Sequence, residues 1–315
     1  MKDFFLPFSI SKFLDIQLKH DSKIGFIGSC FSDEMSKLAS LHGFSNFSNP
    51  FGTIYHPIAI ANILTNAISK PLIHKPYIDS NGTYFSLLAS SKIYGPSEAN
   101  LFAQIQKISK ELKDEICKMD VLYITFGTTW GYIDKEQEIL VANCHKMPNA
   151  HFEKKISSID QVYTTWESLI NKIQDLNPSL KIVFTVSPVR HSKDGVVENN
   201  RSKARLIEVV HSLCNNNIFY FPSYELMIDY LRDYRFYKID RVHPNQEAIE
   251  IVWEKFMNVF MSSETKNLAI EIKKIKTSLN HKAFHQDSIT YKTHLKKTIQ
   301  KKEDLSKKHL TINWK

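Results

Sequence analysis

Residues Lys23-Ile-Gly-Phe-Ile-Gly-Ser29 form a short apolar run between polar neighbours, and Asp33-Glu-Met-Ser-Lys-Leu-Ala-Ser-Leu-His42-Gly43 follows with helical spacing of its apolar residues. This order predicts a strand, a tight turn and a helix. Ser32 is expected to cap the helix, because its hydroxyl can accept a hydrogen bond from the first turn. Gly43 is expected to end the helix, because glycine adopts positive φ at little cost.

Three later apolar runs are typical of buried strands in a parallel sheet. They cover residues 121–127, 181–187 and 218–221, and helical patterns precede the first two. Residues 245–260 carry a helical apolar stripe that would close the core. This alternation of strands and helices predicts an α/β fold, in which helices cover both faces of an open parallel sheet.

Two segments lie outside this pattern. The dipeptide Asn81-Gly82 stands between strand formers of residues 77–86, which predicts a two-residue β-hairpin within an insertion near residues 77–95. Beyond residue 262 apolar residues keep helical spacing among lysines, and from Lys292 onward the chain is nearly all charged or polar. We therefore predict one domain over residues 1–262 and a basic helical C-terminal extension over residues 263–315.

The net positive charge comes from this extension. Residues 261–315 hold 13 lysines and 5 acidic residues, whereas residues 1–260 carry 28 basic and 28 acidic residues, so the extension accounts for the net charge of +8. We interpret it as a solvated, partly helical segment. The alternative is a weak anionic partner, either nucleic acid or a membrane surface. Aromatic residues are sparse there, which argues against base stacking.

The composition excludes several classes of protein. Hydrophobic residues make up 43% of the 315 residues and charged residues 23%, which excludes a disordered chain. No run approaches the roughly 20 apolar residues of a membrane span and no export signal is present, so we expect a cytoplasmic protein without a transmembrane segment. The four cysteines are far apart in sequence, which disfavours disulfides and paired-cysteine zinc sites. We expect no metal and no cofactor.

Ligands of open parallel sheets bind at the carboxyl ends of the strands, so residues just after the strands are candidates for function. Ser29 and Cys30 lie on the turn after the first strand, where the start of a helix lowers a thiol pKa and stabilises an oxyanion. Asp240 and His243 lie on one loop ahead of the last core helix, and this spacing lets the carboxylate orient the imidazole. Together these residues predict a triad of nucleophile, histidine and aspartate.

Two further strand ends carry candidate substrate contacts. Gly127 follows the second predicted strand, where its backbone can approach a substrate oxygen closely. Arg190 follows the third predicted strand and offers a guanidinium to a carboxylate or a phosphate. The structural alternative for Gly127 is a turn that is merely close-packed. The structural alternative for Arg190 is an ion pair at the protein surface. Asn143 lies away from the strand ends and would donate to an oxyanion only if its loop folds over the site.

Five motifs, in order, resemble those of the bacterial GSCFA-domain family: Gly28-Ser-Cys-Phe-Ser32, Asn49-Pro-Phe-Gly-Thr-Ile-Tyr55, Asn143-Cys-His-Lys-Met-Pro148, Thr185-Val-Ser-Pro-Val-Arg190 and Asp240-Arg-Val-His-Pro244. The resemblance spans roughly residues 22–262. This family is grouped with the SGNH or GDSL-like hydrolases. The resemblance therefore implies a flavodoxin-like three-layer α/β/α sandwich, chemistry on acyl esters, and the triad roles of Asp240 and His243.

The resemblance leaves the choice of nucleophile open. The superfamily motif reads Gly-Asp-Ser, with the serine attacking. When Gly28 is aligned with its glycine, Cys30 falls at the attacking position. Ser29 attacks only if the turn is one residue shorter.

The oxyanion hole is also altered relative to the superfamily. Its Gly-x-Asn-Asp motif reads Gly127-Thr-Thr-Trp130 here, so the asparagine that normally donates to the oxyanion is missing. Asn49 or Asn143 would replace it. Gly52 resembles the glycine of the superfamily's second motif.

These residues favour an enzyme that hydrolyses or transfers acyl esters of a small molecule or a glycan through a covalent acyl intermediate. The main alternative is a catalytically inactive module of the same fold that binds a glycan or an acylated ligand. The altered Gly-x-Asn-Asp motif supports that alternative. A third hypothesis is an interaction protein that uses its lysine-rich extension.

Overall fold

The computed structural model describes residues 7–13, 15–69, 75–79, 81–281, 284–285 and 287–314. Within these residues the strands are β1 (Ile24–Gly28), β2 (Asn46–Ser48), β3 (Tyr77–Ile78), β4 (Tyr84–Phe85), β5 (Tyr94–Gly95), β6 (Val121–Phe126), β7 (Trp130–Asp134), β8 (Leu140–Val141), β9 (Phe152–Ile156), β10 (Lys181–Val186) and β11 (Ile218–Tyr220).

The helices of the same residues are α1 (Cys30–Leu41), α2 (Pro57–Ile68), α3 (Glu98–Ile116), α4 (Ile159–Leu176), α5 (Val196–Leu213), α6 (Ser223–Glu225), α7 (Gln246–Phe260), α8 (Ser263–Asn280) and α9 (Ile289–Lys308). A π-helical segment, Leu226–Tyr230, continues α6. Short 3₁₀ turns cover Asn149–His151, Ser192–Asp194 and Tyr234–Phe236.

The central sheet has five parallel strands in the order β11-β10-β6-β1-β2. Counted along the chain, this is the flavodoxin-like order 2-1-3-4-5. Alternate residues of β6 point to opposite faces, so Leu122, Ile124 and Phe126 join one buried cluster while Val121 and Tyr123 join the other. Helices α2 to α5 cover the first face, and α1 and α7 cover the second. The predicted three-layer α/β/α sandwich is confirmed.

The first strand, turn and helix form as predicted, but the helix begins earlier than expected. Its N-cap is Ser29, whose hydroxyl accepts a hydrogen bond from the Phe31 N–H at 3.3 Å. Ser32 lies inside the helix and donates instead to Thr125 Oγ1 at 2.8 Å. Gly43 has φ +88°, as expected of a residue that ends a helix.

The insertion forms a hairpin with a longer turn than predicted. Strands β3 and β4 pair antiparallel with Ile78 opposite Tyr84, so five positions separate them instead of two. Asp79 Oδ1 accepts hydrogen bonds from the backbone N–H groups of Asn81 and Thr83, and this side chain shapes the turn. Ser80 lies outside the described residues. A second small sheet, in the order β8-β7-β9, was not predicted.

The C-terminal extension is helical as predicted, but one side of it packs on the domain and is not solvated. Ile272 is buried and its side chain lies against Gly43, at the end of α1. The Lys276 ammonium donates to the Ser40 carbonyl at 2.7 Å, and the Asn313 N–H donates to the Gly43 carbonyl at 2.8 Å. The extension therefore covers the C-terminal end of α1. Of the described helices, none is both long and apolar enough to cross a membrane.

Candidate active site

The predicted site residues Ser29, Gly127 and Arg190 follow strands β1, β6 and β10, at the carboxyl edge of the central sheet. Gly28 makes the turn at β1 possible. Its φ is +127°, and a Cβ there would lie 2.2 Å from the Thr125 carbonyl oxygen of the neighbouring strand. Only glycine fits so close to another backbone in this conformation. The motif glycine therefore permits the turn that leads into α1.

The two candidate nucleophiles have different environments. Ser29 is fully buried, its N–H donates to the Thr125 carbonyl at 3.1 Å, and its hydroxyl caps α1. Cys30 is the first residue of α1 and is partly exposed. A side chain at this position lies close to the unpaired backbone N–H groups of the first helical turn. Cys30 is the less buried of the two residues, and the serine hydroxyl has a structural role.

Burial and two nearby carboxylates keep the Cys30 thiol protonated. Burial raises the pKa of the thiol above its ordinary value, and the carboxylates of Asp33 and Glu34 raise it further. The Cys30 N–H and the positive charge of Lys203 act in the opposite direction with smaller effect. The Cys30 N–H at the helix start therefore lowers the thiol pKa as expected, but burial and the two acidic residues outweigh it, and the net shift is upward. Attack by Cys30 requires a base.

Asp33 connects α1 to the loop that carries Asn49. Its Oδ1 accepts a hydrogen bond from the Asn49 amide at 2.7 Å, and its Oδ2 accepts one from the Thr53 hydroxyl at 2.9 Å. Asn49 Oδ1 accepts in turn from the Gly28 N–H at 2.8 Å. The bonds to Asp33 and from the Gly28 N–H hold the Asn49 side chain in one orientation beside the turn. One of its two amide hydrogens is committed to Asp33.

Two of the predicted oxyanion contacts have their N–H groups occupied. The Gly52 N–H donates to the Asn49 carbonyl at 2.8 Å, and the Gly127 N–H donates to the Tyr55 carbonyl at 2.8 Å. Neither N–H is free for an oxyanion in this conformation. Gly52 has φ +78°, and a Cβ there would lie 1.8 Å from Ser90 Oγ, so this glycine is required by space and by backbone conformation.

Asn143 lies on the loop between β8 and β9, two strands of the small antiparallel sheet β8-β7-β9. Its Oδ1 accepts a hydrogen bond from the His145 N–H at 2.8 Å, which fixes a tight turn. The His145 ring in turn lies against Phe85 and hydrogen-bonds to the Ser86 carbonyl at 2.7 Å. These contacts give the Asn143 motif a structural role, since it packs against the insertion.

Lys203 is the functional candidate that sequence reasoning missed. It projects from α5 and is 1% exposed, with its Nζ donating to the carbonyls of Gly127 at 2.8 Å and Ser187 at 2.7 Å. Burial lowers its pKa to about 7, an effect that the nearby Cys30 opposes. Its neighbours Asn-Asn-Arg-Ser are polar, so the sequence indicates an exposed helix face. The ammonium group lies between the ends of β6 and β10.

Asp240 and His243 form the predicted pair. Asp240 Oδ2 lies 2.8 Å from His243 Nδ1, and Asp240 Oδ1 accepts from the backbone N–H groups of His243 at 3.0 Å and Val242 at 2.9 Å. These hydrogen bonds, the backbone ones first, lower the pKa of Asp240 to about 2. Both side chains are nearly half exposed. Between the described residues, no hydrogen bond joins His243 to Cys30.

Arg190 follows β10 and lines the same pocket as the Asp240 loop. Its charge acts on Lys203, and its side chain lines a pocket of about 550 Å³ that Asp240 also lines. A larger cavity of about 1370 Å³ lies between α7, α8 and the start of α9, and none of the predicted site residues lines it. In the described part of the chain, no group of three or more His, Cys, Asp or Glu residues could hold a metal ion.

Comparisons with known families agree with this arrangement of motifs. The model of the GSCFA family matches residues 23–256, and the model of the GSCFA domain protein C-terminal domain matches residues 272–315. The chain therefore belongs to the GSCFA family. No curated protein matches its sequence.

Several solved structures share some likeness with the chain. A carbohydrate esterase family 3 protein from Talaromyces cellulolyticus is 10% identical, with a TM-score of 0.35 over 80% of this chain and 99% of its own. An acetyl xylan esterase from Butyrivibrio proteoclasticus is 6% identical, with a TM-score of 0.38 over 75% and 63%. The periplasmic domain of a lipopolysaccharide acetyltransferase from Salmonella ser. Paratyphi A is 11% identical, with a TM-score of 0.36 over 77% and 84%. At these scores the likenesses do not bear on the reaction of this chain.

Proposed function

We propose that this chain hydrolyses or transfers acyl ester groups, with Cys30 as the nucleophile, His243 as its base and Asp240 as the residue that orients the imidazole. The observation that carries the proposal is the contrast between the two residues of the turn. The Ser29 hydroxyl is buried and caps α1, whereas Cys30, at the start of the same helix, is a partly exposed residue. We therefore assign the attack on the substrate carbonyl to the less buried of the two residues.

The raised pKa of Cys30 defines the chemistry of the first step. A protonated thiol is a poor nucleophile, so His243 takes the proton as Sγ bonds to the carbonyl carbon. The bond from that carbon to the alcohol oxygen then breaks, and the imidazolium returns the proton to the leaving alcohol. Water completes hydrolysis, or a second alcohol completes transfer, and the thiol is regenerated.

This mechanism requires His243 to approach Cys30. The loop carrying the Asp240–His243 pair is exposed, with Ile239 at 95% exposure, and the pair is held by contacts within the loop. Catalytic hydrogen bonds in ligand-free enzymes are often long and tighten only in the substrate complex. We propose that the pair moves toward the thiol when the substrate binds and keeps its own geometry as it does so.

For the oxyanion we propose the Cys30 N–H and the second hydrogen of the Asn49 amide as donors. Asn49 is supported by its fixed orientation between Asp33 and the Gly28 N–H. Removal of one such donor usually slows turnover by 10² to 10³-fold. We expect Asn49→Ala to slow ester hydrolysis by at least ~10-fold and Asn143→Ala to have little effect. If neither variant slowed turnover by that factor, the assignment of an asparagine donor would be wrong.

The nucleophile is tested by intact-mass analysis after incubation with a short-chain activated ester, followed by mapping of the modified peptide. We expect one acyl group on Cys30, released by neutral hydroxylamine because a thioester reacts with this reagent far faster than an ester. Labelling should persist in Ser29→Ala and disappear in Cys30→Ala.

Matched controls separate catalysis from ordinary thiol reactivity. Cys214 is also partly exposed, and burial raises its pKa as well, so Cys214→Ala controls for adventitious acylation. Loss of rapid labelling in His243→Ala, with the protein still folded, would support the base. Labelling of Cys30 at the same rate in His243→Ala would refute the proposed mechanism.

A second function, a binding module for an acylated or glycan ligand, is favoured by two observations. The Gly52 and Gly127 N–H groups are occupied, and His243 is not bonded to Cys30. Saturable ligand binding without any covalent label, under conditions where a control hydrolase reacts, would establish this function in place of the enzyme.

A further inference from the structure

The pocket beside the Asp240 loop has an unusual concentration of arginine. The chain has six arginines, and three of them, Arg190, Arg232 and Arg241, line this one pocket of about 550 Å³. Within the described residues, no carboxylate lies within ion-pair distance of any of the three, although Arg201 and Arg235 each pair with an acidic neighbour. Three arginines without an acidic partner therefore line one pocket.

Among the described residues, Asp240 is the one carboxylate that lines the pocket, and it does not neutralise these arginines. Its Oδ1 is occupied by the N–H groups of Val242 and His243, and its Oδ2 by the His243 ring. With three guanidinium groups and this one carboxylate, the lining keeps a net positive charge. An oxyanion bound in this pocket would supply the partner that these guanidinium groups lack.

The backbone supports the same arrangement. Arg241 has φ +59°, a left-handed conformation that is costly for a residue with a long side chain. The hydrogen bonds of Asp240 to Val242 and His243 hold the loop in this turn. The strained residue is thus also a pocket residue, adjacent in sequence to the proposed catalytic pair.

The pocket also offers apolar surface. The rings of Tyr234 and Tyr237 lie 6.0 Å apart on its rim, and Tyr234 is 71% exposed. Exposed aromatic rings provide a flat apolar contact for the body of a ligand. A ligand that combines an oxyanion with a ring or a sugar would match both parts of the lining.

We propose that this pocket binds the alcohol part of the substrate and that this alcohol carries an oxyanion, either a carboxylate or a phosphate. The proposal rests on the proposed function, because His243 returns its proton to the leaving alcohol and a pocket beside its loop therefore lies on the alcohol side. It extends that function by naming the charge of the substrate.

The first test compares two acetyl esters of similar size, 4-acetoxybenzoate and 4-acetoxybenzamide. Para to the ester, the first carries a carboxylate and the second a neutral amide. We expect the native chain to prefer the benzoate in kcat/KM by ~10-fold or more, the effect of charge-assisted hydrogen bonds. Arg232→Gln and Arg190→Gln should each reduce this preference by ~10-fold. Arg201→Gln is the matched control, since Arg201 lies outside the pocket and pairs with Glu198, and it should keep the preference.

The second test measures binding without bond cleavage, by calorimetry with 4-hydroxybenzoate, phenyl phosphate and 4-hydroxybenzamide. If either anion binds more tightly than the amide, and this difference is lost in Arg232→Gln, the result supports the pocket. The anion with the higher affinity then identifies the group as a carboxylate or a phosphate. Equal binding of all three, together with equal kcat/KM for the two esters, would overturn the inference while leaving the esterase intact. Arginine-dependent anion binding without any hydrolysis would support the pocket and overturn the proposed function instead.

Discussion

The buried lysine at the strand ends should make the stability of the fold depend on pH. Lys203 is 1% exposed, and burial lowers its pKa from 10.5 to about 7 in the folded chain. Between pH 7 and 10.5 the unfolded chain therefore binds one more proton at this residue than the folded chain. A rise in pH through this window favours the state that binds fewer protons, so stability should increase with pH.

The size of the effect follows from the two pKa values. Below pH 7 the folded state carries the full cost of a buried charge, about 5 kcal/mol at 1.36 kcal/mol per pKa unit. Between pH 7 and pH 9 about 2 kcal/mol of this cost should be recovered. A neutral amine still has two hydrogens, so it can keep both bonds, to the carbonyls of Gly127 and Ser187.

Urea denaturation at several pH values from 7 to 9 measures this effect. The difference in unfolding free energy between the native chain and Lys203→Met should rise by about 2 kcal/mol across the range. The two lost hydrogen bonds shift the variant by a constant amount and do not change this slope. Lys203→Gln is a second neutral variant, and exposed Lys172→Met is the control whose curve should parallel the native one. Parallel curves for the native chain and Lys203→Met would refute the lowered pKa.

Three further substitutions test other parts of the structure. Gly52→Ala should destabilise the chain by about 2 kcal/mol or more in urea denaturation, because its Cβ would meet Ser90 Oγ at a positive φ, and an unchanged midpoint would contradict this. Ser29→Ala should cost about 1 kcal/mol through loss of the α1 cap, and the idea fails if thermal unfolding is unaffected. Ile272→Ala should lower the free energy of unfolding by about 2 to 5 kcal/mol, because it leaves a cavity where the extension packs on the domain. We expect a single unfolding transition, and a separate early transition would argue that the C-terminal helices do not unfold together with the domain.

The parts of the fold that could be predicted are those whose sequence pattern has one physical cause. Strands β1, β6 and β10 are buried on both faces, so they are continuous apolar runs. Edge strand β2 has three half-buried residues and no such run, so it was missed. The antiparallel sheet of β7, β8 and β9 depends on pairing between segments distant in sequence, which spacing alone does not reveal.

The start of α1 shows how tertiary contacts decide between equivalent local signals. Ser29 and Ser32 are both good caps by residue type. The Ser29 N–H is bonded to the Thr125 carbonyl of β6, and Ser32 is bonded to the Thr125 side chain. These contacts with the neighbouring strand place the first helical turn at Cys30. The position of the thiol relative to the helix therefore depends on β6, which the local sequence does not contain.

The same distinction separates the two halves of the candidate site. The Asp-x-x-His spacing predicts the Asp240–His243 pair because both residues lie in one short loop, and the loop's own backbone supplies two of the hydrogen bonds that hold the carboxylate. The distance from this pair to Cys30 depends on how α7 and the loop before it pack on the sheet. That packing involves residues far apart in sequence. Lys203 belongs with that second, nonlocal half, since its partners are carbonyls at the ends of two different strands. Sequence motifs therefore identify groups that orient one another, and the fold determines which of these groups meet.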